Sequence, residues 1–148
     1  EKATATRTRS IAWFLLELGL LGTEVDESRL LYFSQCAILA DSRDLARAGA
    51  MLAADGIDPL SGARIVSARH AQIIKSLMVT CGMYDGSGQF AVDVGIPAKS
   101  GVGGGILATV RDRMGIGTWG PSLDERGNSV IGVACLRELS KRLDLRVL

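Results

Sequence analysis

A glycine-rich segment in the last third of this chain constrains its fold more than any other feature. Five of the eleven residues from 95 to 105 are glycine. Each glycine inside a regular helix costs about 0.5–1 kcal/mol relative to alanine, so this segment is too glycine-rich for one. Before it, apolar residues recur mostly at helical spacing, and beyond it the apolar runs are short enough for strands. The sequence therefore predicts a helical first part and a mixed last part.

Apolar periodicity predicts four helices in the first part and one at the end of the chain. Asp41 and Ser67 are predicted to cap two of them, because a side-chain oxygen before the first turn can accept from its free N–H groups. Turn signals such as Asp85-Gly86 and Gly127-Asn128 separate the later elements. The predicted helices span residues 7–20, 26–39, 41–56, 67–80 and 129–143.

Three strands are predicted in the last part, near residues 89–94, 104–111 and 115–120. Helices followed by an antiparallel sheet and a further helix indicate the α+β class. We expect a helical part over residues 1–82, and the strands with the C-terminal helix over residues 83–148. No repeat or low-complexity linker marks a domain boundary.

Composition excludes several classes of protein. The chain has 148 residues, of which 47% are hydrophobic and 22% charged, and this balance excludes intrinsic disorder. The net charge of +1 gives no electrostatic footprint for nucleic acid. No apolar stretch is long enough to span a bilayer and no signal-peptide pattern opens the chain. We expect a cytoplasmic protein that binds neither nucleic acid nor membrane.

The cysteines and the histidine point away from disulfides and metals. Cys36, Cys81 and Cys135 are widely spaced and lie in apolar runs, which predicts reduced and buried thiols. The single histidine, His70, has no Cys-x-x-Cys nearby, so no metal site is expected, and His70 is predicted to lie on a helix surface.

A short motif carries the chemistry. Lys99-Ser100-Gly101 lies beside the glycine run, and a Lys-[Thr/Ser]-Gly strand adjoins the nucleophile in serine acyl-transfer enzymes of the β-lactamase type. At such a site the lysine ammonium stabilises negative charge on the substrate, and the hydroxyl donates a hydrogen bond to it. The glycine has no side chain, so a backbone N–H can approach the developing oxyanion. Taken alone, the tripeptide is more typical of a hairpin with a polar turn.

Longer segments around this motif resemble the serine-dependent glutaminase family, and the resemblance covers nearly the whole chain. The segments that carry it are Tyr32-Phe33-Ser34-Gln35-Cys36-Ala37-Ile38, Met83-Tyr84-Asp85, Ser87-Gly88-Gln89-Phe90, residues 95–105, Trp119-Gly120-Pro121-Ser122-Leu123-Asp124 and Gly127-Asn128-Ser129. The resemblance implies a β-lactamase-like or transpeptidase-like fold, in which a helical lobe stands beside an antiparallel sheet flanked by helices. It also implies hydrolysis of L-glutamine to L-glutamate and ammonia with no cofactor, and a homo-oligomer.

The resemblance also implies roles for individual residues. Tyr84 falls at the tyrosine that relays a proton to the leaving ammonia, and the backbone N–H of Val102 falls in the oxyanion hole. Tyr32, Glu1 and Thr8 fall at substrate-binding positions. The resemblance gives Lys99 and Ser100 of the strand motif supporting roles.

Two departures from the family pattern stand out. The family's nucleophile lies in a Ser-x-x-Lys motif, and no serine of this chain has a lysine three residues later. The chain is therefore expected to be the C-terminal portion of one catalytic domain, inactive alone, with the upstream half of the same protein as its partner. Thr8 stands where the family has asparagine, and a hydroxyl offers fewer hydrogen bonds than an amide.

Three functions stay open at this point. The chain is part of an L-glutamine amidohydrolase, or it belongs to an inactive glutaminase-like fold that binds an amino acid or a protein. A third hypothesis is another acyl-transfer enzyme, such as a penicillin-recognising protein. Without the resemblance, a tyrosine such as Tyr32 in an amphipathic helix is typical of a half-buried core residue.

Overall fold

The structure is a computed structural model that describes residues 5–147. The chain forms two compact units, Glu1–Leu39 and Ala40–Leu148. Helices and an antiparallel sheet occur together, and the predicted α+β class is confirmed. No helix within residues 5–147 is long and apolar enough to cross a membrane.

The first unit contains two helices, α1 (Thr6–Glu17) and α2 (Val25–Cys36). Val25 and Phe33 are buried, whereas Trp13 and Phe14 are 52% and 56% exposed. Neither helix begins with a side-chain hydrogen bond to its first turn. The pair thus leaves large apolar side chains in contact with solvent.

The second unit contains a three-stranded antiparallel sheet with helices on both faces. The strands follow the order β1-β2-β3 in space. Their register pairs Lys99 of β1 with Leu107 of β2, and Leu107 with Gly117 of β3. The elements are α3 (Ser42–Ala53), α4 (Ala68–Cys81), a 3₁₀ turn (Tyr84–Gly86), α5 (Ser87–Asp93), β1 (Ala98–Ser100), β2 (Gly105–Val110), β3 (Met114–Trp119) and α6 (Val130–Leu143).

The helix caps predicted for this unit are confirmed. Asp41 accepts hydrogen bonds from the N–H groups of Arg43 and Asp44 at 2.7 and 3.0 Å, and the Asp44 carboxylate accepts from the N–H of Asp41. Ser67 accepts from the N–H of His70 at 3.1 Å. These bonds satisfy N–H groups that have no partner inside the helix, and they fix where α3 and α4 begin.

Alternate side chains of the central strand, β2, pack into two different hydrophobic cores. Ile106, Ala108 and Val110 pack with residues of α5 and α6, including Leu136. Leu107 points to the other face and packs against the cluster formed by α3 and α4. Successive side chains of a strand alternate between faces, so one short strand connects both layers.

The helix α3 lies unusually close to the sheet at Gly115. A Cβ atom on Gly115 would lie 2.0 Å from the backbone nitrogen of Ala50. No side chain fits in that space. The absence of a side chain therefore sets the distance between α3 and β3.

The strand predicted near residues 89–94 is wrong, because these residues form α5. Phe90, Val92 and Val94 alternate with other residues as in a strand, but Phe90 and Val94 are also one helical turn apart. Both are buried in the core, whereas Val92 is 67% exposed. Over six residues this apolar pattern fits both the two-residue period of a strand and the 3.6-residue period of a helix. Burial of Phe90 and Val94 in one core favours the helix. The first strand lies later, at Ala98–Ser100.

The prediction of buried cysteines is also wrong. Cys36, Cys81 and Cys135 are all exposed. Cys135 precedes the fully buried Leu136, and neighbouring residues of a helix point about 100° apart, so an apolar run does not bury all of its members. His70 is exposed on α4, as predicted.

The two outer strands differ in how their free edges are covered. On the outer side of β1, the N–H of Ser100 donates to the carbonyl of Gly82 at 2.9 Å. In the described part of the chain, β3 pairs with no strand other than β2. An uncovered edge presents N–H and C=O groups that can pair with another chain.

We expect the isolated chain of residues 1–148 to self-associate or to be only marginally stable, since the outer edge of β3 is unpaired within residues 5–147 and many apolar side chains are exposed. Sedimentation velocity and thermal unfolding of the isolated chain measure this. Addition of the upstream half should suppress the association. A monomeric sample with one cooperative unfolding transition would contradict the prediction.

A buried carboxylate organises the loop between α3 and α4. Asp58 accepts hydrogen bonds from Nε and Nη2 of Arg47 at 3.0 and 2.5 Å, and from the hydroxyl of Ser61 at 2.6 Å. The hydrogen bond with Arg47, followed by that with Ser61, holds the pKa of Asp58 well below its usual range. The carboxylate therefore ties the segment from Asp58 to Ser61 to Arg47 of α3.

We expect Asp58→Asn to lower the thermal midpoint of the full-length protein by several degrees at pH 7, because it breaks the charge-assisted bonds to Arg47. A carboxyl group with a depressed pKa in the folded state contributes stability above its unfolded pKa of about 4, and this is lost as pH falls through the folded pKa. The difference from wild type should therefore shrink in acid. Asp112→Asn, at a carboxylate that is 76% exposed, is the matched control, and an equal effect of both variants would refute the prediction.

Candidate functional site

The candidate site in the second unit is built around Tyr84, in the turn between α4 and α5. Its backbone has φ +52°, in the left-handed region that residues other than glycine rarely adopt. Such a conformation costs on the order of 1–3 kcal/mol and persists where its surroundings fix it. The side chain is half-buried, and its hydroxyl makes no hydrogen bond to the described residues. The phenol group is therefore available to another molecule.

Lys99 lies in the middle of β1 and reaches the Tyr84 ring. Its Nζ is 4.8 Å from the ring centroid, within the range of a cation–π interaction. The same ammonium donates to the carbonyl of Ser100. Burial lowers the pKa of Lys99, and an electrostatic interaction with the neighbouring Cys81 opposes part of that shift. A positive charge thus stands beside the phenol.

Gly82 brings these two side chains together. It ends α4, its carbonyl accepts from the N–H of Ser100, and a Cβ on it would lie 1.9 Å from the carbonyl oxygen of Ala98. No side chain fits between the end of α4 and β1. Because Tyr84 follows two residues later, the contact at Gly82 fixes Tyr84 beside Lys99.

Val102 supplies a backbone donor at the same place. It lies in a turn in which the N–H of Gly104 donates to the carbonyl of Gly101 at 2.9 Å, and its own N–H has no partner within residues 5–147. A Cβ on Gly127 would lie 3.6 Å from Cε2 of Tyr84 and 3.7 Å from Cγ1 of Val102. The tyrosine and the turn therefore flank the same glycine.

Ser100 does not share the surface of Lys99. Its side chain is 1% exposed and points to the opposite face of β1, where Ala98 is part of the core. Its hydroxyl has no hydrogen-bond partner in the described part of the chain. The structure thus brings Lys99 to Tyr84 and places Ser100 in the layer beneath.

The remaining predicted residues belong to the first unit. Thr8 and Tyr32 line the same groove between α1 and α2, which has a volume of about 360 Å³. Tyr32 is 49% exposed, and its ring meets that of Phe33 edge-on at 6.0 Å between centroids. The groove is mostly apolar, and it is also lined by Ile11, Ala12, Leu15, Leu21, Ser28 and Arg29. Glu1 lies outside the described residues.

Two residues with no predicted role surround the Tyr84 turn. Ser87 and Asn128 donate hydrogen bonds to backbone carbonyls of this turn. Ser87 follows the turn by one residue, and serine is a frequent partner of nearby backbone groups, so a local signal existed. Asn128 lies more than forty residues further along the chain, and no local pattern connects the two.

The second unit therefore gathers a phenol, an ammonium group and a free backbone N–H from three segments of the chain. This set can move a proton, favour an anionic intermediate and bind an oxyanion. It includes no Ser-x-x-Lys nucleophile. Within residues 5–147, no three His, Cys, Asp or Glu side chains gather to hold a metal ion.

Comparison with known proteins gives one consistent match. The family model described as Glutaminase matches residues 1–148. Glutaminase 2 of Clostridium perfringens is 53% identical over 147 residues, which are 99% of this chain and 48% of that relative. A glutaminase of Clostridium botulinum (strain Hall) is 55% identical with the same coverage. The chain thus spans about half the length of the curated relatives it matches.

Solved structures agree with this match. The crystal structure of a Bacillus glutaminase in 4.3 M NaCl has a TM-score of 0.93 at 40% identity, and covers 99% of this chain and 51% of its own. A Bacillus subtilis glutaminase in covalent complex with 5-oxo-L-norleucine, formed from 6-diazo-5-oxo-L-norleucine, has a TM-score of 0.94 at 40% identity, with coverage of 99% and 52%.

Proposed function

Because this chain belongs to the glutaminase family, we propose that the protein it is part of hydrolyses L-glutamine to L-glutamate and ammonia. The observation that carries the proposal is the meeting of Tyr84, Lys99 and the free N–H of Val102. The covalent norleucine complex of the B. subtilis relative supports a covalent route. We further propose that this chain is the C-terminal portion of one catalytic domain in a cytoplasmic homo-oligomer.

The proposed reaction has two steps. A serine of the upstream half attacks the side-chain amide carbon of glutamine, the carbon–nitrogen bond breaks, and the nitrogen leaves as ammonia after accepting a proton. Water then adds to the glutamyl ester and releases glutamate, and the proton returns to the serine oxygen. Each step passes through a tetrahedral oxyanion.

The residues of this chain supply groups for both steps. The hydroxyl of Tyr84 relays the proton to the leaving nitrogen, and the Lys99 ammonium lowers the energy of the phenolate form during that relay. The Val102 N–H donates to the oxyanion. Tyr32, Thr8 and Glu1 contact the substrate in this proposal, and Ser100 supports the strand that carries Lys99.

We expect Tyr84→Phe in the full-length protein to lower kcat about 100-fold or more, because a lost acid–base group costs on that scale. Tyr32→Phe is the matched comparison and should raise KM more than it lowers kcat, since its proposed contact is with bound substrate. Steady-state ammonia release measures both. An unchanged kcat for Tyr84→Phe would exclude the relay.

Ammonia release also tests the division of the protein. We expect no activity from the isolated chain, because it lacks the nucleophile, and activity once the upstream half is added. Activity of the chain alone would mean that it holds a different nucleophile. Inactivity of the folded pair would instead favour a glutaminase-like fold that binds a ligand without turnover.

A further inference from the structure

Two buried side chains hold the backbone on both sides of Tyr84. The hydroxyl of Ser87 donates to the carbonyl of Tyr84 at 2.7 Å and accepts from the N–H of Met83 at 3.0 Å. Nδ2 of Asn128 donates to the carbonyl of Met83 at 3.2 Å. The N–H of Gly86 donates to that same carbonyl at 3.1 Å. Both peptide groups that flank Tyr84 therefore have a fixed orientation.

This arrangement determines the conformation of Tyr84 itself. The φ and ψ torsions of a residue are rotations between its two flanking peptide planes. The plane before Tyr84 is held through the Met83 carbonyl and the plane after it through the Tyr84 carbonyl. With both held, the residue keeps φ +52° although the left-handed region is unfavourable for tyrosine.

The burial of the two side chains makes the restraint effective. Ser87 is 5% and Asn128 is 3% exposed, so water does not compete for their hydrogen bonds. Asn128 is itself fixed, because its N–H donates to the carboxylate of Asp124 at 2.8 Å. The turn is thus tied to a segment that precedes α6.

We propose that Ser87 and Asn128 are positioning residues that keep Tyr84 in its reactive place, with its ring against Lys99 and close to the turn that carries Val102. This rests on the proposed function, in which Tyr84 relays a proton. A relaxed backbone at Tyr84 would return to negative φ and carry the ring away from Lys99. Displacement of a reacting group by about 1 Å can cost about 100-fold in rate.

The test compares Ser87→Ala with Ser140→Ala in the full-length protein. Ser140 is the matched control, because it is 2% exposed and its hydroxyl donates to the carbonyl of Val94 at 2.6 Å, away from the turn. Both variants lose a buried hydroxyl and should lose similar thermal stability. Ser87→Ala alone should lower kcat about 10- to 100-fold with KM nearly unchanged. Equal kcat values for the two folded variants would overturn the proposal.

A double variant separates positioning from general destabilisation. In a protein that already carries Tyr84→Phe, Ser87→Ala should lower kcat no further, since the hydroxyl it positions is gone. Asn128→Ala should behave in the same way, and Ser87→Thr, which keeps a hydroxyl, should regain part of the rate. Additive losses would show that Ser87 acts by another route and would refute the proposal.

A structural measurement keeps the proposal testable if the proposed function fails. If the folded wild-type protein releases no ammonia from glutamine, the glutaminase proposal is wrong, whatever the variants do. The crystal structure of the Ser87→Ala variant then tests whether Ser87 holds the backbone of Tyr84 in its left-handed conformation. A Tyr84 that leaves the left-handed region supports it, and a Tyr84 that keeps its 4.8 Å contact with Lys99 overturns it.

Discussion

The contact between Gly82 and β1 is the constraint on which the candidate site depends. The end of α4 lies so close to the strand that the carbonyl of Gly82 accepts directly from the N–H of Ser100. A side chain at Gly82 would overlap the backbone of Ala98. This close approach also covers the outer edge of β1, and it places Tyr84 over Lys99 on the following strand.

The sheet carries the site through the alternation of its side chains. Lys99 and Ser100 are neighbours in sequence, yet one reaches the Tyr84 ring and the other lies in the core. Buried residues on one face of β1 anchor the strand in the core, and Lys99 projects from the opposite face. In the glycine-rich turn that follows, the hydrogen bond joins Gly104 to Gly101, and the N–H of Val102 has no partner among the described residues. Stabilisation of an oxyanion requires a hydrogen-bond donor that is held in a fixed position and has no other acceptor.

The proposed upstream half would account for two features that are unfavourable in an isolated domain. Side chains such as Trp13 and Phe14 are exposed, and β3 has a free edge in the part of the chain that is described. The family relatives are about twice as long. The proposed upstream half would supply both a nucleophile and apolar surface. The proposed catalysis and the stability of the fold would therefore both depend on that half.

The sequence by itself determined the long helices and their caps. Asp41 and Ser67 cap α3 and α4 as predicted, because capping is a local interaction within one turn. The resemblance to the glutaminase family was also visible in the sequence, whereas the predicted strands did not include Lys99, which lies in β1. These features depend on residues within a few positions of one another.

Tertiary structure alone decided the rest. Residues 89–94 became a helix because Phe90 and Val94 found one common core, although the local pattern fitted a strand equally well. The left-handed conformation of Tyr84 depends on Asn128, which is distant along the chain. The local sequence pattern limits which conformations a segment can adopt. Burial and long-range hydrogen bonds then select among conformations whose local energies differ by only a few kcal/mol.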